Sequence, residues 1–231
     1  MQRVDSQISL PMKIIHVSDL HSIHPPKVPD DIDIIVNSGD WMPNAPTDSI
    51  YADLACQERW LEDNAEQIKN WTNNKLILFT EGNHDRFNVQ KILPKLGIRI
   101  INITNQLYIH HSGLSFYGFP FIPFIEGWWN HERELPEMVK EFDLMLECIK
   151  DAGLDQIDVL VAHCPPYGIL DKNREGSSIG NRVLINRIDY CDFMPLHILC
   201  GHVHENAGVV SYNQITISNA ACTQHILEVQ T

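Results

Sequence analysis

"KLILFTEGNHD", residues 75 to 85, joins a short apolar run to Glu, Gly, Asn, His and Asp. The first six residues read as a buried strand, because the run is brief, apolar and followed at once by turn-forming residues. A turn alone would account for Gly82 and Asn83, since both tolerate positive φ and Asn and Asp bond their own backbone. A second reading is that Asn83 and His84 are held at the carboxyl end of a core strand, where open α/β sheets place their ligands. The rest of the chain bears on the choice.

The same kind of run recurs as "KIIHV" (13 to 17), "IDIIV" (32 to 36), "IDVLVA" (157 to 162), "LHILC" (196 to 200) and "QITIS" (214 to 218). Helical spacing of apolar residues covers Ile50 to Trp71 and Leu135 to Ala152, the latter stopped by Gly153. The middle stretch "RIINITNQLYIHHSGLSFYGFP" (99 to 120) reads as meandering antiparallel strands rather than a crossover. The pattern predicts two sheets with helices outside them. With 231 residues, no internal repeat and no linker, it predicts a single domain over 1–231 with its core at about 13–220.

Composition narrows the function. A net charge of -13, from 17 basic and 30 acidic residues, speaks against general binding to nucleic-acid backbones or anionic membranes. An anionic substrate then needs a local positive centre. The six cysteines form no C-x-x-C pair, "MQRVDSQISLPMK" lacks the apolar stretch of a signal peptide, and no apolar run reaches the roughly 18 residues of a membrane span. Free thiols and a cytoplasmic location are expected.

A source for that positive centre stands directly after the strands, in "SDLH" (18 to 21), "SGDW" (38 to 41), "EGNHD" (81 to 85), "AHCPP" (162 to 166) and "CGHVH" (200 to 204). A lone His at a strand end is ordinarily structural, but five strand ends carrying His, Asp or Asn are not explained that way. In "DLH" and "HVH" the polar residues are two apart and project to one side of an extended segment. Imidazole, carboxylate and amide oxygen without thiolate suit Mn, Fe, Zn, Ni or Co, and the count is nearly twice the four ligands of one structural zinc. Two divalent ions are expected, Mn favoured, with Asp40 placed to bridge them.

The ordered set Asp19-x-His21, Gly39-Asp40, Gly82-Asn83-His84-Asp85, His163 and Gly201-His202-x-His204 resembles the calcineurin-like metallophosphoesterases across residues 13 to about 220. The resemblance implies a four-layer α/β/β/α sandwich, two mixed β-sheets flanked by helices, with a dinuclear centre. It implies Asp19, His21, Asp40 and His204 on one ion and Asp40, Asn83, His163 and His202 on the other. His84 would be the proton donor to the leaving group as a metal-bridging hydroxide attacks phosphorus in line. Histidine suits that role, because its proton exchanges near neutral pH. Asp85 either orients the His84 ring or caps the following "RFNVQKIL".

"GDWMPN" lacks the Asp-Arg-Gly extension of protein Ser/Thr phosphatases. "HCPPYGILD" (163 to 171) and "LHILCGHVHENAG" (196 to 208) look like segments of the metallophosphoesterase-domain-containing proteins, some of them cyclic-nucleotide phosphodiesterases. A small-molecule phosphodiesterase, with a nucleotide as candidate substrate, is therefore expected ahead of a phosphomonoesterase, a protein phosphatase or a non-catalytic binding module. Trp41, Asn44, Arg86 and Arg174 are candidate substrate contacts, with "DKNREGSSIGN" (171 to 181) as a mobile flap. Phe121, Phe124, Trp128 and Trp129 lie in a Pro-broken loop that reads as a substrate wall or a dimer contact. Cys164 and Cys200 read as core.

Overall fold

The computed structural model describes residues 11–47, 49–191 and 193–230. Most of the N-terminal "MQRVDSQISLPMK" lies outside them. In chain order the elements are β1 (Met12–Val17), β2 (Ile34–Asn37), α1 (Ile50–Asp63), α2 (Ala65–Thr72), β3 (Leu76–Phe79), β4 (Ile100–Asn102), β5 (Leu107–Ile109) and β6 (Ser115–Phe119). They continue with β7 (Ile122–Pro123), β8 (Glu132–Arg133), α3 (Leu135–Asp151), β9 (Val159–Ala162), α4 (Arg182–Tyr190), β10 (His197–Cys200), β11 (Gly208–Tyr212), β12 (Ile215–Asn219) and β13 (Gln224–Val229).

One sheet has the order β13-β1-β2-β3-β4 and the other β11-β12-β10-β9-β6-β5, with β7 and β8 forming a small parallel pair. Both large sheets are mixed: β1 to β4 run parallel with β13 antiparallel at the edge, and β6, β9, β10 and β12 run parallel between antiparallel β5 and β11. The central strands β2, β9 and β10 are buried along their whole length. That is why their sequences are continuous apolar runs rather than alternating ones.

Period-two alternation sorts these strands into three apolar layers. Ile14, Ile34, Val36 and Leu78 meet Phe116, Val159, Val161 and Leu199 between the sheets. Ile15, Ile35, Ile77 and Phe79 face outward against Leu61, Ile68 and Trp71 of α1 and α2. On the far side Phe119, Leu160 and Ile198 pack on Met138, Phe142, Leu184 and Ile188 of α3 and α4. Three interfaces make four layers, the expected α/β/β/α sandwich. At roughly 1.5–3 kcal/mol per large apolar side chain removed from water, these interfaces supply the main stabilisation.

Two local expectations are corrected. The single helix over 50 to 71 is two, broken at Asn64, whose side chain donates to the Trp60 carbonyl and bonds His24 Nε2. Such side-chain bonds to the local backbone compete with helix continuation. The stretch 99 to 120 is antiparallel only at the β5–β6 pair; β4 adds in parallel to β3, so this segment passes from one sheet to the other. Among the described residues no helix is long and apolar enough to cross a membrane.

A polar link crosses the sandwich. His16 on β1 bonds Ser218 Oγ on β12 through Nδ1 (2.8 Å) and Ser38 Oγ through Nε2 (3.0 Å), and Ser218 also meets His225 Nδ1 at 2.9 Å. Burial, helped by the charge of His225, lowers the His16 pKa to about 3. The folded state thus prefers neutral His16, and the unfolded chain titrates near 6.5. The stability this supplies is present above about pH 6.5 and is lost as pH falls towards about 3, by about 1.4 kcal/mol per pH unit within that window. Urea midpoints of metal-free wild type and His16→Gln, compared between neutral and mildly acidic pH, should converge on acidification, wild type falling more steeply; parallel slopes would contradict the assignment.

Candidate metal centre

Seven polar side chains project from the carboxyl ends of five parallel strands: Asp19 and His21 after β1, Asp40 after β2, Asn83 after β3, His163 after β9, and His202 and His204 after β10. The first three strands belong to one sheet and the last two to the other, so the group straddles the edge of the sandwich. Asp19, Asp40, Asn83 and His163 are buried, whereas His204 is exposed, so the site opens to solvent on the His204 side.

The loops hold conformations that the chain adopts only under constraint. Asp19, His21, Asp40 and His202 all have positive φ, from 41° to 67°. A non-Gly residue there costs of order 1–3 kcal/mol, and such strain collects at functional sites. Close approach adds a second constraint. Gly39 has φ of 114°, and a Cβ on it would lie 2.6 Å from His163 Nδ1 and 2.7 Å from Gly82 Cα. The Gly-Asp and Gly-Asn pairings in the sequence are thus a packing requirement between two loops.

The donors fall into two groups. Ligand atoms of Asp19, His21 and His204 lie within 4.8 Å of one another, as do those of Asp40, His163 and His202. His204 Nε2 is 3.1 Å from Asp19 Oδ1 and 3.4 Å from His21 Nε2. Asn83 Oδ1 joins the second group, 3.0 Å from His163 Nε2 and 2.9 Å from His202 Nδ1. His163 donates Nδ1–H to the Ser38 carbonyl at 2.8 Å, which directs Nε2 at Asp40 Oδ2, 3.2 Å away. Such a backbone anchor on the far nitrogen is how metal-ligating histidines are oriented. The His202 amide donates to Asp19 Oδ2 at 2.8 Å and locks the two sheets together at the site.

Charge is concentrated here. Burial pushes the Asp40 pKa up, but the His163 charge and hydrogen bond, with His84 and His21 behind them, outweigh it and hold the carboxyl well below its usual range. The converse holds for His163, which Asp40 raises to about 9 against burial. Burial and the His163 charge lower His202 to about 4. Two buried carboxylates facing four imidazoles and an amide oxygen form an N/O donor set suited to divalent transition ions.

His84 sits alongside. Its Nδ1 accepts from the Asn44 side-chain amide at 2.6 Å, its Nε2 is 3.8 Å from Asp40 Oδ2, and its ring lies 5.0 Å from His21 and 4.4 Å from Trp129. Burial lowers its pKa despite the Asp40 carboxylate. Asn44, a candidate substrate contact, lies against the His84 ring.

Four expectations change. Asp85 neither orients His84 nor caps the next segment: its buried carboxylate accepts backbone N–H from Asp40 (2.7 Å), Gly82 (3.0 Å), Trp41 (3.1 Å) and Met42 (3.2 Å). Trp41 is not a substrate contact, because its ring is fully buried edge-on against Trp60, Trp71 and Phe79. Arg86 is not a phosphate anchor: it pairs with Asp53 at 3.1 Å and donates to the Trp128 carbonyl. Arg174 is exposed and pairs with Glu205 at 2.7 Å, and within "DKNREGSSIGN" the Lys172 amide donates to Asn206 Oδ1 at 2.9 Å. Cys164 and Cys200 are buried, and burial raises both thiols, as core residues should behave. All six cysteines are unpaired. The aromatic neighbour of the site is Trp129, which the Pro-broken loop contained but periodicity did not single out.

Comparison with known proteins matches residues 12–206 to the calcineurin-like phosphoesterase model. The chain belongs to this family. A UPF0046 protein of Caenorhabditis elegans is 27% identical over 233 residues, covering 95% of this phosphoesterase and 73% of the relative. The human metallophosphoesterase domain-containing protein 1 is 29% identical over 128 residues, 52% of this chain and 36% of that protein. A crystal structure with 13% identity superposes with a TM-score of 0.58 over 95% of each chain, a likeness of fold. The family is generally dinuclear and metal-dependent, in keeping with the two donor groups.

Asp85→Ala would strand four buried N–H groups, each costing about 1–3 kcal/mol if unsatisfied. We predict a Tm loss of more than about 8 °C, given roughly 2–4 °C per kcal/mol for a chain of this size. A variant with unchanged Tm and only reduced turnover would return Asp85 to a ring-orienting role.

Proposed function

We propose that this phosphoesterase is a small-molecule phosphodiesterase, with nucleotides, cyclic ones included, as its substrate class. The observation that carries the reading is the convergence of seven N and O donors on two adjoining positions, with His84 held beside them by Asn44. In this reading Asp19, His21 and His204 hold one ion, Asn83, His163 and His202 hold the other, and Asp40 serves both; manganese is the favoured metal. Bound ions would supply Lewis acidity towards phosphoryl oxygens and a water deprotonated near neutral pH. His84 acts as the imidazolium, giving its Nε2 proton to the departing oxygen and returning to the neutral ring that keeps the Nδ1 proton; in the acid form the Asn44 amide turns its oxygen to Nδ1–H and fixes the ring so that Nε2 faces the site. Asp85 keeps the Asp40 and Asn83 loops in register. A single domain spanning 1–231 and a cytoplasmic location belong to the same proposal.

Preference for diesters is supported by charge and by the absent Asp-Arg-Gly extension. A monoester dianion meets more repulsion than a diester monoanion on a chain of net charge -13. Trp41 offers no stacking surface to a base, because its ring is in the core.

Manganese-loaded protein should show a higher kcat/KM on bis(p-nitrophenyl) phosphate than on p-nitrophenyl phosphate, and should open 2′,3′- or 3′,5′-cyclic nucleotides. A tenfold preference for the monoester with no cyclic-nucleotide turnover would replace the diesterase with a monoesterase. His84→Ala should keep its metal yet lose about 10²–10⁴-fold on poor leaving groups and less on p-nitrophenyl esters. Equal losses on both would remove the general-acid role.

A further inference from the structure

Beside the metal centre lies a cleft of about 560 Å³ that has His202 in its lining. Its volume is within the range of small-molecule sites. Its lining includes the apolar side chains of Phe124, Ile125, Leu135, Met138 and Ile179. Phe124, Ile125, Leu135 and Ile179 are 49, 54, 56 and 38% exposed, so four of the large exposed apolar side chains cluster on one opening. An exposed apolar cluster rimmed by polar groups marks a binding surface.

Tyr167 and Arg182 also line the cleft. The Arg182 guanidinium stands 3.7 Å from the Tyr167 ring centroid. Arg182 is the first residue of α4, where a cation opposes the helix dipole, and among the described residues it makes no ion pair, unlike Arg86, Arg133, Arg174 and Arg187. Arg182 is exposed, and its guanidinium is held by stacking on Tyr167 with no carboxylate among the described residues neutralising it, which leaves its charge available to a ligand. A planar cation over an aromatic ring presents a flat outer face, suited to another flat ring.

The segment that carries Tyr167 is tied by backbone bonds to the start of α4. Tyr167 is four residues beyond His163, its amide donates to the Asn181 carbonyl at 3.1 Å, and the Asn181 amide donates to the Pro165 carbonyl at 2.7 Å. Asp171 Oδ2 gathers the amides of Gly168 (2.8 Å) and Gly180 (2.9 Å). The cleft touches His202 but neither His84 nor Trp129. The leaving oxygen must lie near His84, so the cleft is placed for the organic arm that stays on phosphorus.

We infer that this cleft seats an aromatic ring, simple aryl or nucleobase, on the retained ester arm of a phosphodiester, with Tyr167 and Arg182 as its stacking platform. The inference rests on the phosphoesterase reading for the identity of the arm, but the ring site can be tested apart from hydrolysis. A monoester has no second arm, so an occupied cleft gives the diester preference a structural basis.

The test varies only the retained arm: methyl, hexyl, phenyl and thymidine-5′ esters of p-nitrophenyl phosphate, all releasing p-nitrophenolate. Manganese-loaded wild type should favour the phenyl or thymidine ester over the methyl ester in kcat/KM. Tyr167→Ala and Arg182→Ala should each lower that ratio about tenfold, the lower end for loss of one stacked ring. Tyr167→Phe should preserve it and controls for a Tyr167→Ala variant that does not fold. The better of the two aromatic esters identifies the ring source. A hexyl ester equal to the better aromatic one, or a ratio unmoved by both alanine variants, would overturn the inference. If no ester is hydrolysed, the phosphoesterase reading fails by itself, and the ring site is then decided by saturation-transfer NMR of adenosine with metal-free protein. A signal lost in Arg182→Ala and kept in Tyr167→Phe supports it; a signal indifferent to Arg182, or none, overturns it.

Discussion

The carboxylate of Asp85 is where the two halves of the first sheet's catalytic edge are knotted. It has no exposure to solvent and accepts from the amides of Gly82, Asp40, Trp41 and Met42, so one buried group satisfies four donors from the loops after β2 and β3. Unpaired donors at that depth would be costly. The bonds set Asp40 at positive φ, direct its Oδ1 to the His84 amide, and turn Trp41 away into the layer beneath α1 and α2. Candidate metal ligands, His84 and the outer core therefore share one anchor.

This coupling explains why strain can persist at the edge of a well-packed sandwich. Four candidate ligands hold positive φ, and buried carboxylates face imidazoles in a small volume. Three apolar interfaces and the His16 to Ser218 link over-determine the strand positions, so the loops have little freedom to relax. A site arranged in this way is pre-organised for cations.

Much of the architecture is legible in the sequence because buried parallel strands must be continuous apolar runs, and because polar residues at five of their ends have no packing reason to be there. What is illegible depends on direction rather than identity. Trp41 adjoins a donor and looks available, yet its placement depends on the Asp85 bonds made by neighbouring amides. Arg86 resembles an anion anchor until Asp53, distant in sequence, neutralises it. The parallel pairing of β4 with β3 is decided by partners far apart along the chain, whereas the β5–β6 hairpin is local and readable. Asn44 and Trp129 reach His84 from separate loops, and no spacing rule links them.

If the seven donors form two adjoining cation sites sharing Asp40, anomalous diffraction from manganese-soaked crystals will reveal them directly. Two peaks per chain are predicted, one enclosed by Asp19, His21, Asp40 and His204 and one by Asp40, Asn83, His163 and His202, with His84 liganding neither. A single peak at full occupancy, or two peaks of which one is coordinated by His84, would contradict the shared-carboxylate centre.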